Sequence, residues 1–321
     1  MTPPYSSPAP VYSRGARSVS GPHYDFAVLT PSPYVGRFAP SPTGTLHFGS
    51  LLVAVGSWLR ARAESGKWLV RIEDLDVERG VPGAAELIVA TLAAHGLRSA
   101  AEIVRQQDDT SRYCAAFNQL ARHDLVYPCW CSRADVAAAG GVHRACLAVA
   151  KSSGRGDPSW RFRTPPGIVR YTDALKGSRA HDVASEFGDF VLKRANGEYT
   201  YQLSVVVDDA WQGVTEVVRG GDLLDSTARQ VALQRALGIP TPGYLHLPVV
   251  VDQSGVKLSK QARSCPVDPD TPMISLRAVL ELLGQFVDLT AKRVDQLLEA
   301  AALRFDVAAL PRALELPCPR Y

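Results

Sequence analysis

The sequence predicts an α/β protein: a parallel sheet with crossover helices, interrupted by an inserted α+β segment. Two observations lead there. From Tyr34 to Asp124, short β-type runs alternate with helix-length apolar patterns, which is the signature of a parallel sheet. After Pro128 the alternation stops until about residue 200 and then resumes, which marks an insertion. No internal repeat is visible.

Residues 1–33 are rich in Pro, Ser and Gly without apolar periodicity and read as a disordered leader. Tyr34–Phe38 reads as the first strand, and Pro40, Pro42 and Gly44 force a loop after it. A helical pattern runs from Leu51 through Leu59 and ends near Gly66. Lys67–Ile72 reads as a buried strand. Pro82 opens the next helix, with Leu87, Leu92 and Leu97 on its apolar face, and a further helix runs from Ser111 to Asp124. These elements make residues 34–125 the first half of the sheet. Residues 126–200 are the insertion, with a cysteine cluster, a Gly/Ser/Arg loop and short β-like runs. The second half, 201–262, contains Leu203–Val207 and Thr215–Val218 as strands and a helix from Ser226 to Leu237 closed by Gly238. A strand from Leu245 to Val251 follows, then a basic loop. Residues 263–321 form a short helical C-terminal region with loops and prolines.

Composition bounds the function without choosing it. The chain has 321 residues, 46% hydrophobic and 21% charged, with a net charge of +3, so a nucleic-acid partner is permitted but not indicated. The runs Arg155–Arg163 and Arg170–Arg179 are locally basic and read, singly, as solvated loop faces. No apolar stretch approaches the ~20 residues of a membrane span, and the N-terminus lacks a signal-peptide pattern. The six cysteines do not form the even framework of a secreted disulfide scaffold, so a cytoplasmic, reducing setting is expected. Cys114, on a helix, reads as core, and Cys265 as a loop thiol. A monomer is expected.

Two segments suggest phosphate chemistry. Pro40–Ser50 joins a strand to a helix, and a helix N-terminus offers free N–H groups and a positive dipole end. There His47 would donate to a phosphate and Gly49 would let a flat base approach the backbone. Taken alone, the segment reads first as a Pro-rich turn with a capping histidine. Lys257-Leu258-Ser259-Lys260-Gln261 would clamp a triphosphate, or is an exposed basic turn. Cys129-Trp130-Cys131, His143 and Cys146 offer thiolates and an imidazole suited to tetrahedral zinc, although spacing alone leaves free thiols an even alternative.

In this order, His47-Phe48-Gly49-Ser50 and Lys257–Gln261 resemble the paired ATP motifs of class I aminoacyl-tRNA synthetases, with Ser50 and Gln261 departing from the consensus. Arg37–Gly44, Arg71–Asp76, Gly197–Leu203 before Asp208-Asp209, and Val218–Leu224 narrow the resemblance to the glutamyl/glutaminyl group. It covers about Tyr34 to Lys260. The resemblance implies a Rossmann-type class I catalytic fold, with ATP held by His47, Gly49, Ser50, Lys257, Ser259 and Lys260. It further implies that Arg37, Ala39, Ser41, Glu73, Tyr201 and Arg219 hold glutamate. The chemistry agrees: a substrate with two carboxylates and one ammonium asks for two guanidinium forks and an acid. Arg37, Glu73 and Arg219 each lie at the C-terminal end of an expected parallel strand, where open α/β sheets bind ligands.

The C-x-C insertion with Gly140-Gly141, the Val81–Glu86 segment and the short stretch after Lys260 resemble the glutamyl-Q tRNA(Asp) synthetase family. That resemblance implies one structural Zn²⁺ held by Cys129, Cys131, His143 and Cys146. His143 stands where the family has tyrosine, and it is the better zinc ligand. It also implies that the anticodon-binding domain of full glutamyl-tRNA synthetases is missing. The partners would be L-glutamate, ATP with Mg²⁺, and the anticodon loop of tRNA(Asp), whose wobble queuosine receives the glutamate. His47, Lys257 and Lys260 would stabilise charge as the glutamate α-carboxylate displaces pyrophosphate. Three rivals stay open: an adenylate-forming ligase such as pantothenate synthetase, a truncated conventional glutamyl synthetase, and a non-catalytic tRNA-binding paralogue.

Overall fold

β1 (Val35–Phe38) leads through the Pro40–Leu46 loop into α1 (Phe48–Ala63) in the computed structural model, which describes residues 33–147, 156–252 and 267–319. The buried stripe of α1 is Phe48, Leu51, Leu52, Val55 and Leu59, at helical spacing. Gly56 lets the helix press on the sheet, since a Cβ there would fall 2.5 Å from a methyl of Leu247. β2 (Lys67–Ile72) pairs in parallel with β1, with Arg37 opposite Leu69. α2 (Ala84–Ala94) buries Ala85, Ile88 and Leu92; Leu87, expected on that face, is 54% exposed, one position off the stripe. β3 (Val104–Arg105) extends the sheet beyond β2. α3 (Ser111–Arg122) buries Tyr113 and Leu120, whereas Cys114, expected in the core, is exposed beside them.

The segment that breaks the alternation contains β4 (Val126–Cys129), α4 (Arg133–Ala138), β5 (Ser159–Phe162), β6 (Ile168–Asp173), β7 (Gly177–Asp182), α5 (Val183–Glu186) and β8 (Phe190–Lys193). β4, β5 and β8 form an antiparallel sheet, and β6 and β7 a hairpin. The basic runs around 160 and 170 therefore lie partly on strands.

Leu203–Val207, expected as a strand, lies within a helix, α6 (Tyr201–Trp211). Its Val-Val-Val run favours strands locally, but Leu203, Val205, Val206, Asp208 and Asp209 are buried at helical spacing. Tertiary contacts outweigh a propensity difference of about 1 kcal/mol or less. β9 (Glu216–Gly220) and α7 (Leu224–Leu237) follow, and Gly238 closes α7 in the left-handed conformation at φ 68°. The expected strand Leu245–Val251 is two strands, β10 (Gly243–Leu247) and β11 (Val249–Val251), divided at Pro248, which has no N–H to give. α8 (Pro272–Leu282) and α9 (Val294–Ala302) make the helical C-terminal region, and β12 (Glu315–Pro317) adds a short strand that pairs with β11.

β9 pairs in parallel with β10, and Asp173 of β6 pairs with Tyr244 of β10. β1 and β9 lie side by side: the Thr215 N–H donates to Val35 O at 2.9 Å, and Arg37 Nη1 to Val218 O at 3.4 Å. β3-β2-β1 and β9-β10 belong to two separately hydrogen-bonded sheets that meet at β1 and β9; read across that junction the order is β3-β2-β1-β9-β10, and the winding direction reverses between β1 and β9. In doubly wound sheets a crevice for ligands opens at that reversal, beyond the C-terminal strand ends. One apolar core joins α1, β2, α2, α8 and α9, including Leu52, Leu59, Leu276 and Leu297. A second joins α3, α6 and α7 to the inserted strands through Tyr113, Phe162, Leu203 and Val231. Among the described residues no helix is long and apolar enough to cross a membrane.

Candidate active site and Cys/His cluster

The reversal point gathers the ionic residues that the sequence singles out. Arg37 on β1 is buried; its Nε and Nη2 donate to the two carboxylate oxygens of Asp209 at 3.1 and 3.3 Å. Arg71 on β2 is completely buried and donates through Nη2 to Asp209 Oδ1 at 2.8 Å and to Glu73 Oε1 at 3.1 Å. Its Nη1 donates to Gln212 at 2.6 Å. Asp208, the neighbour of Asp209 on α6, accepts from Gln106, Arg112 and Tyr113. Glu73 follows the end of β2, and its N–H donates to Pro40 O at 2.9 Å, which ties the β1 loop to the β2 end. Burial raises the Glu73 carboxyl above its ordinary value despite Arg71 and Arg37. Burial also pushes Asp209 up, but Arg37 and Arg71 outweigh it and hold that carboxyl low.

Arg219 on β9 is 3% exposed, and each of its five N–H groups has an acceptor. Nε donates to His246 Nε2 at 3.0 Å, and Nη1 to Tyr201 Oη at 3.1 Å and Gln230 Oε1 at 2.7 Å. Nη2 donates to Leu223 O at 3.3 Å and Thr227 Oγ1 at 2.9 Å. All five acceptors are neutral. Arg37 and Arg71 touch carboxylates; Arg219 is a buried cation held by dipoles. Tyr201, half-buried at the start of α6, accepts from Arg219 and so keeps its own hydroxyl proton to donate.

Ala39 is half-buried and Ser41 exposed, both on the loop leaving β1. His47 caps α1: its Nδ1 accepts from the Ser50 N–H at 3.1 Å, and Ser50 Oγ lies 2.9 Å from Nε2. A Cβ on Gly49 would come within 3.3 Å of the His47 ring, so the glycine gives the imidazole its seat. Lys257, Ser259, Lys260 and Cys265 lie outside the described residues. Sequence reasoning missed Arg71, Asp208, Asp209, Gln230 and His246 as parts of this network. The charged residues among them were visible in the sequence, but their partners are far along the chain. A cavity of about 590 Å³ around the ends of α1 and α2, lined by Trp58, Arg62, Gly96 and Leu298, holds none of these groups, so charge convergence rather than cavity size marks the site.

In the inserted segment, the ligand atoms of Cys129, Cys131 and His143 lie within 4.8 Å of one another. Cys146 sits beside them, accepting from the Trp130 N–H at 3.5 Å. The Cys131 N–H points at Cys129 Sγ at 3.4 Å, the Leu147 N–H at Cys131 Sγ at 3.2 Å, and Arg161 Nε at Cys129 Sγ at 3.3 Å. Donors aimed at sulfur suit thiolates. Burial pushes the Cys129 thiol up to about 11, so a thiolate there calls for a cation beyond Arg161. His143 Nε2 lies 3.2 Å from Cys129 Sγ, and its Nδ1 is 3.0 Å from Tyr127 Oη, which donates to Asp189 at 2.7 Å. Because the tyrosine proton goes to Asp189, the tyrosine oxygen accepts from Nδ1–H, and Nε2 keeps its lone pair toward the sulfurs. Cys129, Cys131 and His143 are thus three converging donors of the kind that suits a tetrahedral metal ion, while Cys146 Sγ lies outside that spacing, against the Trp130 N–H.

The sequence matches the catalytic domain of class I tRNA synthetases (E and Q) over residues 34–271. A glutamyl-Q tRNA(Asp) synthetase of Xanthomonas axonopodis pv. citri is 50% identical over 287 residues, 88% of this chain and 95% of its own. One of Burkholderia cenocepacia is 51% identical over 266 residues, 79% of this chain and 89% of its own. Among solved structures, a glutamate-tRNA synthetase from Elizabethkingia anophelis superposes with a TM-score of 0.72 at 25% identity, covering 88% of this chain and 67% of its own. A glutamate tRNA ligase from Elizabethkingia meningosepticum, in complex with its amino acid, shares the fold with a TM-score of 0.72 at 23% identity, covering 90% of this chain and 67% of its own. The chain is therefore an enzyme of the ligase class and belongs to the glutamyl-Q tRNA(Asp) synthetase family of class I synthetases.

Proposed function

We propose that this enzyme activates L-glutamate with ATP and transfers the glutamyl group to the queuosine base at the wobble position of tRNA(Asp). The observation that carries the amino-acid part is the buried Arg219, whose hydrogen-bond partners are all neutral, beside half-buried Tyr201. A buried cation held only by dipoles favours an anionic ligand over a neutral one. A carboxylate supplies that charge and the amide of glutamine does not. Tyr201 donates its remaining proton to the same carboxylate. Arg37 binds the second carboxylate with the donors that Asp209 and Val218 O leave over, Glu73 takes the ammonium, and Ala39 and Ser41 line the way in. The glutamate α-carboxylate oxygen then attacks the α-phosphorus of ATP, forming the mixed anhydride and breaking the bond to pyrophosphate. His47, Gly49 and Ser50 at the start of α1, with Lys257, Ser259 and Lys260, hold the phosphates and their developing charge. Mg²⁺ supplies further charge neutralisation when bound with ATP. A hydroxyl of the queuosine ring next attacks the activated carbonyl and AMP leaves. Cys129, Cys131, His143 and Cys146 hold a structural Zn²⁺; four protein ligands leave no open position for chemistry.

The test is ATP–pyrophosphate exchange on the purified protein without tRNA. Glutamate should support it, and glutamine and aspartate hardly at all. Labelled glutamate should then appear on queuosine-containing tRNA(Asp) and survive at the anticodon after 3′-end removal. Exchange only with tRNA(Glu) present would point to a conventional glutamyl synthetase, and exchange with unrelated carboxylic acids to another adenylate-forming ligase. No exchange under any condition would sink the enzymatic reading.

A further inference from the structure

Behind Arg219 stands a buried pair that the proposed reaction does not use. Asp173 of β6 and His246 of β10 are 1% and 0% exposed. Asp173 Oδ2 accepts from His246 Nδ1 at 2.6 Å and from the His246 N–H at 3.1 Å. Its Oδ1 accepts from the N–H groups of Leu175 and Lys176 at 3.0 and 2.7 Å. The carboxylate thus has four donors and one orientation. It fixes the proton of His246 on Nδ1, leaving the Nε2 lone pair to accept from Arg219 Nε at 3.0 Å. Strand register makes the alignment: His246 is paired with Arg219 across β9 and β10, and Asp173 with Tyr244 across β6 and β10. The Tyr244 ring stacks on His246 at 6.1 Å and 11°.

We propose that Asp173 and His246 are positioning residues for glutamate recognition: the aspartate sets the histidine tautomer, and the histidine pins the Nε edge of Arg219, which fixes the plane of the guanidinium and the place of the Tyr201 hydroxyl that Nη1 holds, so that cation and hydroxyl meet the substrate carboxylate together. The inference rests on the reading that Arg219 holds glutamate. Its physical basis is a matching of donors and acceptors. A histidine of the opposite tautomer would turn an N–H toward the Arg219 N–H, and two buried donors would face each other. Arg219 would have to turn away, and the pocket would lose its aim without losing its charge. Because Asp173 comes from the segment between residues 126 and 200, the pair also ties that segment to the pocket.

Asp173→Asn is nearly isosteric but brings an NH₂ group among four donors, and it should move the His246 proton to Nε2. In exchange assays the glutamate KM should rise at least tenfold while the ATP KM stays within about twofold. Nitrogen NMR of the imidazole should report Nδ1–H in the wild type and Nε2–H in the variant. His246→Gln keeps an acceptor for Arg219 and should retain more glutamate affinity than His246→Leu; this pair decides the matter if Asp173→Asn does not fold. An unchanged glutamate KM in folded Asp173→Asn, parallel rises for glutamate and ATP, equal losses in the two His246 variants, or Nε2–H in the wild type would each overturn the proposal. A wild type with no glutamate-dependent exchange overturns the functional reading and this inference together. An active wild type with insensitive variants overturns this inference alone.

Discussion

Arg37 and Asp209 meet as a two-pronged buried pair, Nε to Oδ1 at 3.1 Å and Nη2 to Oδ2 at 3.3 Å, and Arg71 reaches the same Oδ1 at 2.8 Å. One carboxylate on α6 therefore sets the separation of β1 and β2 side chains at the mouth of the crevice. Through Arg71 it also reaches Glu73. Removing Asp209 leaves two guanidinium groups buried with less compensation. Asp209→Ala should cost about 3–5 kcal/mol of stability, the range for breaking a buried pair, and abolish glutamate-dependent exchange. Urea unfolding checks it; a midpoint equal to wild type would show that Asp209 is not the keystone of the network.

Much of this site was legible because each residue sits where one local rule applies. Arg37, Glu73 and Arg219 follow β-type runs and fall at strand ends, and Gly238 ends its helix in the left-handed conformation that its position suggests. The supports were not legible. Asp209 partners a residue 172 positions earlier, Asp173 one 73 positions later, and no local pattern encodes such pairings. The helix at Tyr201–Trp211 runs against the local signal for a related reason: Leu203–Val207 carries strand propensity, while its burial against α3 and α7, set by tertiary structure, selects the helix. Pro248 divides a run that hydrophobicity alone joins.

The Cys/His cluster should contain about one zinc per chain as purified. Cys131→Ser should lose it, and a chelator should lower the melting temperature of the wild type but not of that variant. Tyr127→Phe deletes the hydroxyl between His143 and Asp189, and such outer-shell losses typically weaken metal affinity about 10–100-fold. Competition with a zinc chelator measures it. Equal affinity in Tyr127→Phe would mean that the tyrosine does not orient the imidazole.

Stability should fall as the medium turns acidic, for a reason visible in two buried histidines. Burial holds His95 and His246 below the ordinary histidine value. The unfolded chain protonates near pH 6.5, while the folded one resists until a lower pH. Between those values the unfolded state binds more protons, so stability is complete above about pH 6.5 and is lost as the pH falls through the folded value. A tenfold difference in proton affinity between the two states is worth about 1.4 kcal/mol. Urea midpoints at pH 7.5, 6.5 and 5.5 should decline in that order, and His95→Gln, distant from the site, should flatten the slope. A midpoint that rises toward pH 5.5 would contradict the burial argument.

Glu73 and Lys260 should separate substrate binding from chemistry. Glu73 is held by Arg71 at 3.1 Å, with its other oxygen available to an ammonium, and its side chain is 8% exposed. In Glu73→Gln the charge goes and the shape stays. A hydrogen bond to a charged group is worth about 1.5–3 kcal/mol, so the glutamate KM should rise roughly 10–100-fold while the ATP KM is little changed. In the proposed reaction Lys260 meets charge that grows as pyrophosphate leaves. Lys260→Ala should therefore lower kcat for exchange strongly and leave glutamate affinity nearly intact. Saturation kinetics in both substrates distinguish the two variants. If Glu73→Gln lowered kcat alone, the ammonium would lie elsewhere, and if Lys260→Ala exchanged at the wild-type rate, the basic loop would have no part in activation.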